Sequence, residues 1–224
     1  MPSLDKSTLI LTIGARTSAL SRAQVKEVYD ALRTHHPHIV FDIHFITTIG
    51  DRDQATSLRT LDRTDFFTKD IDAGVLDGRF QLGVHSAKDL PVPLADGLSL
   101  FCLTQGVDPS DSLVLLPGET LESLPTGACI ATSSIRREET VKHLRPDLNF
   151  RDLRGTIEQR LAKLKAGEAH GVVVAEAALI RLGLTHLNRI RLPGETAQGQ
   201  GQLAVEGREQ DHHLKDLFKC LDVR

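Results

Sequence analysis

Short runs of consecutive apolar residues alternate along the chain with stretches whose apolar residues recur every three or four positions. Residues 9–13 read as a buried strand, and a turn at Gly14-Ala15-Arg16 leads to Ser18, a favoured helix N-cap residue. Leu20, Val25, Val28 and Leu32 then fall at helical spacing. Residues 39–45 alternate as a second strand, and residues 66–76 read as a helix with Gly78 as its stop signal. A short strand at 82–84 runs into His85-Ser86-Ala87-Lys88-Asp89, and residues 98–103 form another strand.

The rhythm restarts after Asp108-Pro109. Strands are expected at 113–116, 130–131 and 171–175, and helices at 134–144, 156–166, 177–182 and 211–221. Repeated β–α alternation predicts an α/β protein with parallel sheets and helices on both faces, and two such units of similar length predict two lobes. The expected domains are residues 1–104 plus 200–224, and an inserted lobe at 105–199.

Composition narrows the picture. The 224 residues are 40% hydrophobic with net charge −3, and no block of like charge points to nucleic acid or an anionic membrane. Three cysteines, with no Cys-x-x-Cys, suggest a reducing compartment. The ten histidines are scattered; His35-His36 and His212-His213 lack ligand partners, so no metal site is expected and both pairs read as solvated surface. No apolar signal region follows Met1, and no apolar run reaches the roughly 18 residues of a membrane helix. A soluble, cytoplasmic protein is expected.

Three junctions between strand and helix are rich in anion-binding groups. They are Arg16-Thr17-Ser18, Thr132-Ser133-Ser134-Ile135-Arg136-Arg137, and Leu153-Arg154-Gly155 with Arg160 beyond it. Hydroxyls, helix-start N–H groups and guanidinium groups can hold carboxylate or phosphate. Any one alone is commonplace, but ligands bind at the carboxyl ends of α/β strands, where all three are expected.

Together with Val84-His85-Ser86-Ala87-Lys88-Asp89-Leu90-Pro91, these segments resemble the hydroxymethylbilane synthase (porphobilinogen deaminase) family. Gln24, Thr48-Ile49-Gly50-Asp51, Asp108-Pro109-Ser110-Asp111, Leu179-Ile180-Arg181-Leu182-Gly183 and Gly199-Gln200-Gly201 follow in the family's order. The resemblance implies two lobes of the periplasmic-binding-protein type II kind with the site in the cleft between them. It also implies that porphobilinogen units are joined into a linear tetrapyrrole for haem biosynthesis, with Asp89 as the catalytic carboxylate. Arg16, Ser18, Lys88, Thr132, Ser133, Ser134, Arg136, Arg137, Arg154, Gly155, Arg160, Arg181, Gln200 and Gly201 would bind substrate and cofactor carboxylates.

Two departures from the family pattern qualify these expectations. The family carries a third, α+β domain whose Gly-Gly-Cys segment bonds a dipyrromethane primer; the sequence ends at Arg224 without it, so covalent attachment is in doubt. Cys220 is the candidate substitute anchor, although its spacing with Leu214, Leu217 and Leu221 favours a small core residue. Cys102 and Cys129, in strand-like runs, are expected to be buried. Before Phe66, Leu61-Asp62-Arg63-Thr64-Asp65 places Thr64 where the family has a lysine, which should weaken the hold on a polyanion. A monomer with a small-molecule substrate is expected. The rival readings are a non-catalytic binding module derived from the family and a general two-lobe dicarboxylate receptor. Asp89 argues against both, since pure anion binding gains nothing from a carboxylate.

Overall fold

The computed structural model of the chain describes residues 8–53, 55–57, 59 and 65–224. It begins with β1 (Leu9–Arg16), α1 (Ala19–His35), β2 (Ile39–Ile46), α2 (Ile49–Arg52) and a 3₁₀ turn at Asp65–Phe67. Then come α3 (Lys69–Leu76), β3 (Leu82–Ser86), a 3₁₀ turn at Ala87–Asp89, and β4 (Leu98–Leu103). The middle runs β5 (Asp111–Leu115), β6 (Cys129–Ala131), α4 (Ile135–Leu144), β7 (Asn149–Arg151), α5 (Ile157–Lys165) and β8 (Gly171–Ala175). It closes with α6 (Glu176–Arg181), β9 (Arg189–Leu192), β10 (Leu203–Arg208), α7 (His212–Leu217) and a 3₁₀ turn at Lys219–Leu221.

The described residues form two compact units. The first takes residues 8–52, 65–106 and 202–224; the second takes 107–201 and the described residues between 53 and 59. That last stretch was expected in the first lobe.

The first unit is built on a five-stranded sheet in the order β2-β1-β3-β10-β4. β1 is parallel to β2 and β3, whereas β10 is antiparallel to β3 and β4. Ser18 starts α1 by accepting the Ser21 N–H at 3.2 Å. Val25, Val28 and Leu32 of α1, with Leu214 and Phe218, then pack on Leu11, Ile13, Leu82 and Val84. A separate cluster joins Ile71 and Val75 of α3 to Phe80 and Leu98.

The second unit has a sheet in the order β7-β6-β8-β5-β9. β6 is parallel to β7 and β8, and β5 is antiparallel to β8 and β9. All five residues of β8 are buried. Val173 joins Leu113, Leu115, Ile130 and Val141 on one side, while Val172 and Val174 join Leu161, Leu164 and Leu179 on the other. A strand covered on both faces reads as a continuous apolar run.

Several expected elements are revised. The helix expected at 66–76 is a 3₁₀ turn followed by α3, which starts at Lys69 after Thr68. The helix expected at 211–221 ends at Leu217, and Phe218 leads into a 3₁₀ turn. β7, β9 and β10 were not anticipated. β10 carries Glu206 and Gly207 in its interior, a polar residue and a strand-weakening glycine that mask it.

Candidate functional site

In the first unit, the parallel arrangement of β1, β2 and β3 puts their carboxyl ends on one edge of the sheet. Arg16 ends β1, Ser18 caps α1, and the turn carrying Lys88 and Asp89 follows β3. Arg16 Nε donates to Asp51 Oδ1 at 3.2 Å, Nη2 reaches the same carboxylate, and the guanidinium lies 4.3 Å from the centre of the Phe67 ring. Burial alone would raise the Asp51 carboxyl, but the Arg16 hydrogen bond and charge hold it below the usual carboxylate range.

Hydrogen bonds to neighbouring segments and within the turn hold the chain after β3. Gln24 Nε2 donates to Ser86 Oγ at 2.7 Å, the Ala87 N–H to the Gln202 carbonyl at 3.0 Å, and the Leu90 N–H to the Ala87 carbonyl at 3.3 Å. Lys88 and Asp89 are half-buried there.

The second unit repeats the arrangement. Thr132, Ser133 and Ser134 follow β6, Arg154 and Gly155 follow β7, and Arg181 ends α6, the helix that β8 feeds. Asp111 starts β5 opposite Ala175, so the antiparallel strand brings a carboxylate to the same edge. Arg137 Nε donates to Asp111 Oδ1 at 2.8 Å, Arg136 Nη2 to Oδ2 at 2.6 Å, and Gln200 Nε2 to Oδ1 at 2.8 Å. Gln200 Oε1 in turn accepts from Arg137 Nη2 at 3.2 Å. Burial opposes ionisation of Asp111, but Arg137 and the hydrogen bonds around it hold its pKa below the ordinary value.

The serine hydroxyls belong to this framework. Ser133 Oγ donates to the Leu153 carbonyl, and Ser134 Oγ accepts the Arg137 N–H at 3.5 Å as the cap of α4. Thr132 is fully buried. Arg154 Nη2 donates to the Asp53 carbonyl at 2.6 Å, Arg160 Nε to the Gly155 carbonyl at 2.9 Å, and Arg181 Nη2 to the Gly201 carbonyl at 2.8 Å. Gly155 turns the chain into α5 at φ +107°. Gly201 has φ +88°, and a Cβ there would stand 2.4 Å from the Val107 carbonyl oxygen, so only glycine fits.

The cysteines need correction. Cys102 is buried and burial pushes its thiol up to about 12, but Cys129 is only half-buried at the start of β6. Cys220 is exposed, not a core residue, with Sγ 3.3 Å from the Leu217 carbonyl. The helix ends before it, so the helical period no longer points it inward. Residues 61–64, including Thr64, lie outside the described residues.

Residues missed by the sequence reading include Asp111 as the centre of the arginine cluster, and a buried group of Asp72, His85 and Glu206. The signal for Asp111 was an acid heading an apolar run while two adjacent arginines stood unpartnered elsewhere in the sequence. Asp72 and Glu206 sit inside expected or missed elements, where sequence alone shows no partner.

Fold and site together define a two-unit α/β protein with anion-pairing groups at the carboxyl ends of its parallel strands. Solved structures share this fold. The probable amino-acid ABC transporter extracellular-binding protein YtmK of Bacillus subtilis aligns with TM-score 0.55 at 12% identity, covering 96% of this chain and 90% of that one. The LysR family transcriptional regulator CbnR aligns with TM-score 0.57 at 12% identity, covering 95% of this chain and 70% of that one. The chain belongs to the porphobilinogen deaminase family: residues 11–216 match the pattern described as "Porphobilinogen deaminase, dipyromethane cofactor binding domain". It is 40% identical over 219 residues to porphobilinogen deaminase of Streptococcus sanguinis, covering 95% of this chain and 72% of that protein. With the same enzyme of Roseiflexus castenholzii it is 40% identical over 215 residues, covering 95% and 71%. Among the described residues, no helix is long and apolar enough to cross a membrane.

Proposed function

We propose that the protein is a hydroxymethylbilane synthase, joining four porphobilinogen units head to tail into a linear tetrapyrrole. Each joining forms a carbon–carbon bond between pyrroles and releases ammonia; one water completes the released product. The observation that carries this reading is the placement of Asp89. Asp89 follows β3 at the sheet edge that also holds Arg16 and Ser18, in a chain 40% identical to the porphobilinogen deaminase of Streptococcus sanguinis. As ammonia leaves, positive charge spreads over the pyrrole nitrogen. A fixed carboxylate stabilises that charge and can hold the proton that the attacking pyrrole carbon gives up.

The donor set suits a dipyrromethane group, a pair of linked pyrroles bearing carboxylates. Arg136 near the start of α4, Arg154 after β7, Arg160 in α5 and Arg181 at the end of α6 all belong to the second unit, with Thr132, Ser133, Ser134 and Gln200. Arg16, Ser18 and Lys88 supply the same chemistry in the first. Guanidinium groups hold carboxylates in bidentate fashion and discriminate against uncharged pyrroles. When bound, the dipyrromethane supplies the pyrrole end to which substrate is joined. The reading carries with it a small-molecule substrate and a monomeric, cytoplasmic protein without nucleic-acid partners.

Replacing Asp89 by Asn tests the assignment, because the amide keeps the shape and removes the charge. Porphobilinogen consumption should fall about 10²–10³-fold, while binding of substrate stays near wild type. Equal turnover in the two proteins would sink the catalytic role. An intact mass exceeding the sequence by two linked pyrroles, abolished in Cys220→Ser, would identify Cys220 as the anchor; an unmodified mass in active protein means the primer is held without a bond to the chain.

A further inference from the structure

Gly83 stands opposite Glu206 across the β3–β10 ladder, and His85, two residues on, shares the face of Gly83. His85 Nε2 lies 3.0 Å from Glu206 Oε1, with side-chain exposures of 3% and 0%. A Cβ on Gly83 would be 2.7 Å from Nε2 and 2.9 Å from Oε1, so a glycine at this strand position is what lets the pair meet. α3 brings a third group. Asp72 is 5% exposed and accepts the Thr68 hydroxyl on Oδ2 at 2.8 Å. One ligand-type atom from each of the three residues lies within 4.8 Å of the others. Asp72 Oδ1 and Glu206 Oε2 are buried without a donor among the ordinary hydrogen-bonding groups.

Two ionised acids and one imidazolium at such a place would leave a buried net negative charge and two bare oxygens, which is costly. One further proton removes both problems. Carried on Asp72, it is donated to Glu206, which stays ionised between that hydroxyl and the imidazolium, and the group becomes neutral. We propose that Asp72, Glu206 and His85 share this buried proton and act as positioning residues, pinning β3 where it runs into the Ser86–Asp89 turn.

The titration behaviour agrees with the geometry. Burial first, and then the charge of Glu206, push the Asp72 carboxyl up to about 7. Burial opposes charge on His85 and Glu206, but each holds the other ionised, raising the imidazole and lowering the acid. The charged groups acting on His85 are Glu206 from β10, Asp72 from α3 and Asp89 from the turn itself. Near neutrality the shared proton is lost, and the turn then sits above an uncompensated charge. The inference rests on the deaminase reading only in naming Asp89 as the group so positioned.

The test uses the full chain with Asp72→Asn and Glu206→Gln, followed by denaturant unfolding across pH and by amide exchange at Ala87, whose N–H bonds Gln202. A carboxyl raised on folding gives stability that is fully present below its unfolded value of 3.8 and is lost as pH rises toward about 7. Wild type should therefore lose stability relative to Asp72→Asn across that window, and protection of the Ala87 amide, taken relative to its intrinsic exchange rate at each pH, should fall in wild type but not in Asp72→Asn as Asp72 ionises. In Glu206→Gln the His85 titration should fall below that of wild type, and Ala87 should exchange about tenfold faster or more. Parallel stability profiles of wild type and Asp72→Asn overturn the proposal, as does Ala87 protection that follows the same course with pH in both proteins. Stabilisation of wild type, but not Asp72→Asn, by one equivalent of Zn²⁺ or Mn²⁺ also overturns it, since a cation would then fill the proton's place. None of these readouts uses turnover, so failure of the deaminase reading shows separately, as absent porphobilinogen consumption.

Discussion

Asp111 holds two guanidinium groups, and their exposure separates framework from binding. The Arg137 side chain is 10% exposed and Asp111 4%, whereas Arg136 is 33% exposed. Arg137→Leu should cost about 3 kcal/mol of stability, because it leaves a buried carboxylate short of its main partner. Arg136→Leu should cost under about 1 kcal/mol of stability yet weaken pyrrole-carboxylate binding by roughly 1.5–3 kcal/mol. Urea unfolding and titration with porphobilinogen measure the two effects; the reverse ranking would exchange the roles. The pH dependence has a definite sign. Asp111 is held below its ordinary pKa, so its contribution is present above about pH 4 and is lost as pH falls through the folded value. Asp111→Asn should flatten that part of the acid limb.

At the scale of elements, the three anion-rich junctions are also helix starts. Ser18, Ser134 and Thr156 cap α1, α4 and α5, and Thr156 with Gln159 closes a capping box. Thr156→Ala should therefore destabilise the protein by about 1 kcal/mol without altering carboxylate binding, whereas Ser134→Ala should reduce both; thermal melts and ligand titrations distinguish them. These starts were legible because a cap is a local feature: one side chain satisfies an N–H three residues on. β8 was legible as a continuous apolar run, whereas β1 continues past residue 13 to Arg16 and β5 starts at Asp111, ahead of the expected 113. β10 was not legible, since its register with β3 and β4, and not its composition, makes room for Glu206 and Gly207. The end of α7 was missed because the apolar period continues through Cys220 while the backbone tightens after Leu217.

Over the whole molecule, each unit has its own core, and a lesion in one should register there first. Leu113 is fully buried in the second unit. Leu113→Ala should cost roughly 2–5 kcal/mol and should raise amide exchange in β5, β8 and β9 before β1, β3 and β10. Simultaneous loss of protection in both sheets would instead mean that the units open as one cooperative body.

The sequence by itself determined the α/β class, the two-unit plan, the anion-rich junctions and the family, because β–α alternation, capping and short motifs are written in near neighbours. Asp89, Arg16 and the Thr132-Ser133-Ser134 stretch are candidates on that local basis. Only the tertiary structure decided which arginines are tied to Asp111, that Cys220 faces solvent, and that Asp72, His85 and Glu206 meet in the interior. The Asp111–Arg136 and His85–Glu206 pairs join residues 25 and 121 positions apart in the chain. They depend on strand register and burial, and burial is what turns an ordinary acid and an ordinary imidazole into a coupled pair.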